Sequence, residues 1–163
     1  MATTVQIITQ RFFIQNHIDT VRKIVTRFCA ELACRGIDHD ASKMENPEIA
    51  LFAEQSHRLA ENPYGSNEYY ESMDRIRPAI DHHYSQNRHH PQHHENGVDG
   101  MNLLDLVEMV IDWKASGLVS GGDYRESVTI NALRFNLSPQ LVSILLNTAD
   151  FLEKAAGKPF DGD

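Results

Sequence analysis

The side chains best suited to chemistry in this chain are histidines and acids. Nine histidines occur in 163 residues, and six of them (His82, His83, His89, His90, His93 and His94) crowd into positions 82–94. A neutral imidazole beside a carboxylate suits a divalent transition ion: nitrogen and oxygen donors together favour Zn, Mn, Fe or Co over Ca or Mg. His39-Asp40 is such a pair, placed directly after a helical stretch, where irregular backbone can aim both groups at one ion. Asp105, Glu108 and Asp112 recur at i, i+3 and i+7 in a segment otherwise rich in Leu, Val, Met, Ile and Trp. That spacing puts three acids on one face of an apolar helix. Buried carboxylates are unfavourable unless paired or coordinated. Asp112 therefore reads as a metal ligand, Glu108 as a group that orients a ligand or takes part in catalysis, and Asp105 as the most dispensable of the three.

His83 and Asn87 are four apart, share a helix face and lead straight into His89-His90. His82 points about 100° away from His83 around the helix, so one of the pair faces a site, and His83 is favoured. His17 lies on the stripe Phe13, His17, Val21, Ile24, Phe28, which turns its imidazole toward an interior. Alone, such a histidine is more often a hydrogen-bonded core residue than a ligand. His93 and His94 read as exposed loop residues, His57 as a surface residue, and Cys29 and Cys34, which point to different faces, as packing residues.

Six helices are needed to position these groups. Apolar spacing predicts a first helix from about Thr9 to Arg35, ended by Gly36. Asn46-Pro47-Glu48 caps a second that runs to about Glu61. Asn67 opens a third, to about Gln86, with Pro78 expected to kink it. Residues 87–100 show no periodicity and read as an irregular loop, which holds four of the six clustered histidines. Helices from Met101 to Ser116, Asp123 to Phe135, and Ser138-Pro139 to about Ala156 complete the chain. No segment alternates with period two and no linker divides it, so the expectation is one all-α bundle of about six helices spanning residues 1–163.

Composition narrows the function. A net charge of −8 has the wrong sign for broad nucleic-acid binding. No apolar run approaches the roughly 20 residues of a membrane helix, and the N-terminus has neither the basic start nor the apolar stretch of a signal peptide. A soluble, cytoplasmic protein is expected, with self-association left open.

In chain order, His17, His39-Asp40, His82/His83, His89-His90 and Asp112 resemble the HD-domain superfamily of metal-dependent phosphohydrolases. His39-Asp40-Ala41-Ser42-Lys43 is similar to the His-Asp, small residue and Lys of HD-GYP phosphodiesterases, without their GYP signature. A closer resemblance, from about His17 to Phe135, is to a family of small phage and bacterial proteins of unassigned function. It shows His39-Asp40-x-Ser42-Lys43, Pro47-Glu48, Tyr64-Gly65-Ser66-x-Glu68-Tyr69, His83-x3-Asn87-x-His89-His90-Pro91 and Glu108-Met109-x2-Asp112-Trp113-x-Ala115. Gln92 departs from it, standing where a Glu is expected.

The resemblance implies an HD-like bundle in which His17, His39, Asp40 and Asp112 hold a first ion. Asp40 would bridge to a second ion held by His83 and one or both of His89 and His90, and a single ion is the alternative. It further implies hydrolysis of a phosphate ester in a nucleotide or similar small phosphorylated metabolite. A water acidified by one or two divalent ions (Mn, Fe, Co or Zn) would attack phosphorus. Asp40 would position the nucleophile and Lys43 offset the phosphate charge, with Tyr64, Asn87 and Arg134 as candidates for substrate recognition. The cytoplasm would be the host's for a phage-encoded chain. Three other readings remain open: a diiron oxygenase of the same fold, a metal-dependent nucleotide- or protein-binding module without turnover, and a structural zinc site.

Overall fold

The computed structural model describes residues 2–62 and 66–156. Among the described residues it is 83% helical, with six α-helices and no strand, as the periodicity requires. The chain divides into two compact units, residues 1–39 and 40–163.

The first unit is one helix, α1 (Thr4–Asp38). It starts earlier than the apolar spacing predicts because Thr3 and Gln6 form a capping box. Gln6 N donates to Thr3 Oγ1 at 3.3 Å, and Thr3 N donates to Gln6 Oε1 at 2.8 Å. Gly36, expected to end it, lies inside the helix, which closes at His39. α1 has no buried residue; Phe13, Val21, Ile24 and Phe28 are all exposed.

The second unit begins at Asp40 and a 3₁₀ turn, Ala41–Met44. It continues with α2 (Glu48–Glu61), α3 (Asn67–Gln86), α4 (Leu103–Ser120), α5 (Tyr124–Arg134) and α6 (Pro139–Ala156). α2 packs along α3, while α4, α5 and α6 pack in succession. The α4–α6 core is Met109, Val110, Trp113, Tyr124, Val128, Leu145 and Ala149. Pro78 sits inside α3, which runs unbroken past it. On α3, Ser72, Ile76, Ala79 and His83 are buried. Their spacing of three and four residues is one helical stripe, so the packing that seats Ile76 and Ala79 also delivers His83 to the interior.

The segment between α3 and α4 is more ordered than its composition suggests. It contains 3₁₀ turns at Pro91–His93 and Gly97–Gly100. His93 Nδ1 donates to Tyr84 O at 2.9 Å and His94 Nε2 to Arg88 O at 2.9 Å, so His93 ties the loop to the end of α3 and His94 ties it to its own backbone. Gly100 is required there, because a Cβ would lie 2.9 Å from His94 Cβ.

Asp105, read from sequence as the most dispensable of the three acids, has no solvent exposure. Its backbone N and that of Leu104 donate to Asn102 Oδ1 at 3.1 and 2.8 Å, and its carboxylate accepts from Asn102 N at 2.9 Å. Arg88 forks onto it through Nε at 3.2 Å and Nη2 at 3.0 Å. Asp105 thus fastens the histidine loop to the start of α4. Losing the cap and the charge-assisted pair together should lower stability by about 2–3 kcal/mol in Asp105→Ala, measured by urea unfolding of the metal-stripped protein. A loss below about 1 kcal/mol would contradict this anchoring role.

Candidate metal centre

Asp40 opens the second unit with a left-handed backbone, φ 56°, an unusual conformation for a residue with a side chain but one that Asp tolerates. A tight turn starts there, in which Lys43 N donates back to Asp40 O at 2.9 Å. Lys43 Nζ also donates to Asp40 Oδ2 at 2.5 Å. The other oxygen, Oδ1, lies 3.2 Å from His83 Nε2 and 3.5 Å from His89 Nε2. His83 Nε2 and His90 Nε2 are 2.8 Å apart. One ligand atom from each of Asp40, His83, His89 and His90 lies within 4.8 Å of every other. Asp112 brings a carboxylate oxygen within 4.8 Å of one of Asp40's.

What aims the rings is a second layer of carboxylates. Glu48, at the first position of α2 and fully buried, faces His82 Nδ1 at 2.7 Å and His83 Nδ1 at 2.9 Å with its two oxygens. Glu108 on α4 faces His89 Nδ1 at 3.1 Å. An acceptor at Nδ1 places the ring proton there and leaves Nε2 with its lone pair directed inward, the arrangement that metal-ligating histidines use. With its Nδ1 proton turned to Glu48, His83 Nε2 accepts from His90 Nε2. Burial on its own raises the Glu48 carboxyl. Hydrogen bonds from His82 and Ser42 and the charge of His83 outweigh it and hold the group below its ordinary value. Burial, with the adjacent charges of His89 and His83, pushes His90 down to about 3 against the pull of Asp112 and Asp40. His90 is therefore neutral at physiological pH, as a ligand must be.

The donor set fits a divalent transition ion: three imidazole nitrogens and one carboxylate oxygen in a part-buried pocket, with two of the rings held in one tautomer. The remaining sequence candidates lie on α1, α3 and α5 or at their ends, apart from Tyr64. His17 is exposed on α1, in the first unit, and its expected burial is not found there. His39 is the C-cap of α1, one peptide bond before Asp40. Asn87, expected to meet substrate, turns its amide inward to Ser42 Oγ and His83 O, both at 2.8 Å, at the end of α3. Arg134 lies in the last turn of α5 with its guanidinium 5.0 Å from the Phe135 ring centre. Tyr64 is outside the described residues.

Glu48 is the group whose role the sequence reading missed, having been taken as the start of a helix and as part of a family segment with no function assigned to it. Its signal was the Pro47-Glu48 motif. Of the adjacent histidines, His83 enters the cluster with 5% of its side chain exposed, and His82 stays at its edge with 36%.

A family model matches residues 7–151. The chain belongs to DUF5662, a family of unknown function. The DUF5662 match spans every cluster residue, from Asp40 to Asp112. No curated protein and no solved structure matches the chain.

Two outcomes follow from this geometry. Glu108→Gln and Glu48→Gln should each weaken Zn or Mn binding by about 10–100-fold, read by competition with a chromophoric chelator, because each ring loses the carboxylate that orients it. In the metal-stripped protein, the His90 ring resonances should not titrate between pH 8 and 5. The unfolded chain takes up that proton near 6.5 and the folded chain near 3, so the stability held by neutral His90 is complete above pH 6.5 and is lost as pH falls toward 3. His90→Asn should show a shallower acid-side fall in unfolding free energy over that window.

Proposed function

We propose that this DUF5662 protein is a metal-dependent phosphohydrolase acting on a nucleotide or similar small phosphorylated metabolite, and that it works on its substrate at the Asp40–His83–His89–His90 cluster. The observation that carries this reading is the pair of anchored rings: Glu48 behind His83 and Glu108 behind His89, with both Nε2 atoms converging on Asp40 Oδ1. A single closed structural site needs four ligands and no more, whereas Asp112 adds another carboxylate next to Asp40.

A divalent ion held there supplies Lewis acidity toward a phosphoryl oxygen and brings the pKa of a water from about 15.7 toward 7. The chain's own groups do the rest. Asp40, with one oxygen toward the histidines and the other toward Lys43, would orient a nucleophilic water and accept its hydrogen bond. Lys43 is 44% exposed, so its ammonium can turn from Asp40 to an incoming phosphate without unburying. Glu48 and Glu108 keep the imidazoles from rotating and hold their protons at Nδ1, away from the reacting centre. The protein's net charge of −8 would not repel an anionic substrate locally, since divalent cations held at the cluster would reverse the sign of the nearby field.

Phosphate release from a panel of monoesters and diesters, with Mn, Co, Zn, Mg or Fe added to stripped protein, tests the reading. Asp40→Ala should abolish both tight metal binding and turnover. Lys43→Ala should raise KM by about tenfold, the loss of one charge-assisted contact, with metal content unchanged. Silence of the whole panel in every metal would overturn the hydrolase reading.

A further inference from the structure

Pro91 follows the cluster residue His90 directly, and it forms one wall of a separate cleft of about 580 Å³. That volume is in the range of small-molecule sites, about 300–1,000 Å³. The cleft lies between the 3₁₀ turns of the histidine loop and the α5–α6 connection. Val98, Phe135, Leu137 and Leu141 give it apolar walls, and Asn96, Asp99 and Ser138 give it polar ones. Among its described lining residues Asp99 alone carries a formal charge. No lysine or arginine is there to compensate an anion, so a phosphate in this cleft would meet a carboxylate and no counter-charge. Asp99 is instead an acceptor for hydroxyl or amino donors, the use a carboxylate has against ribose in dinucleotide sites.

We propose that this cleft binds the organic part of the substrate and that this part is an uncharged, nucleoside-like group. Its donors face Asp99, and its single phosphate is directed past Pro91 to the cluster. The inference rests on the proposed function for the fate of the phosphate, but the cleft has a readout of its own. The Phe135 ring in its wall lies parallel to the Trp113 indole, at 9° and 6.3 Å between centres. Trp113 is the chain's single tryptophan, so its fluorescence reports on a ligand seated against Phe135.

The experiment is a Trp113 fluorescence titration of the full chain, metal-loaded and metal-stripped, with adenosine, cytidine, ATP and inorganic phosphate. A saturable change with the nucleosides, insensitive to metal, is expected. Asp99→Lys, at an exposed loop position, should weaken it by about tenfold, the loss of a hydrogen bond to a charged acceptor. Val98→Arg, which fills the cleft, should remove it. ATP and phosphate should give no change in stripped protein at nucleoside-saturating concentration. The proposal is overturned by the absence of a nucleoside signal, by tighter binding of ATP or phosphate than of nucleosides without metal, or by an unaltered titration in both variants. Phosphate release without a nucleoside signal would uphold hydrolysis and reject the cleft. A nucleoside signal with no turnover in any metal would do the reverse.

Discussion

A carboxylate with no solvent exposure has to be matched by donors, and Glu48 is that carboxylate here. Burying an unpaired charge is so unfavourable that the fold around Glu48 cannot be changed piecemeal. His82 and His83 from α3 and Ser42 from the 3₁₀ turn all converge on it. One side chain at the first turn of α2 thereby ties α2, α3 and the segment after Asp40 together. His83 is fixed twice, by the apolar stripe of α3 that carries it inward and by the hydrogen bond that sets its tautomer.

The same device appears on the other side of the cluster, where Glu108 of α4 holds His89. The long segment between α3 and α4 has little apolar material with which to pack. It is held instead by polar bonds: His93 to Tyr84 O, His94 to Arg88 O, and Arg88 to the buried Asp105. Each of these joins the loop either to itself or to a helix end. Such a scaffold positions His89 and His90 to within a hydrogen-bond length, which ligand geometry demands and apolar packing of a loop would not deliver. The clustered histidines therefore divide by role: His83, His89 and His90 converge on Asp40, His82 shares Glu48, and His93 and His94 hold the frame.

Much of this was legible in the sequence. Helical periodicity marked six helices, with ends mostly within a few residues, because apolar spacing and caps are local signals. The choice of His83 over His82 followed from the 100° turn between neighbours on a helix. Glu48 was not legible as an orienting group, since a glutamate at a helix start is also good local chemistry whether or not a histidine lies behind it. Asp105 and Glu108 are three apart on one face, yet one closes a capping box and pairs with Arg88 while the other meets His89. Nothing in the spacing of acids separates those fates.

The sequence by itself determined the all-α class, the helix order and which residue types were available to bind a metal, because composition and periodicity act over one or two helical turns. The tertiary structure decided which of them meet. Asp40 reaches His83, His89 and His90 across 43 to 50 positions of chain only through the left-handed backbone at Asp40 and the packing of α2 on α3. It also turned Asn87 inward to Ser42. Those outcomes depend on contacts between elements, and a contact between elements is satisfied or refused by burial and hydrogen-bond geometry that no local window of sequence contains.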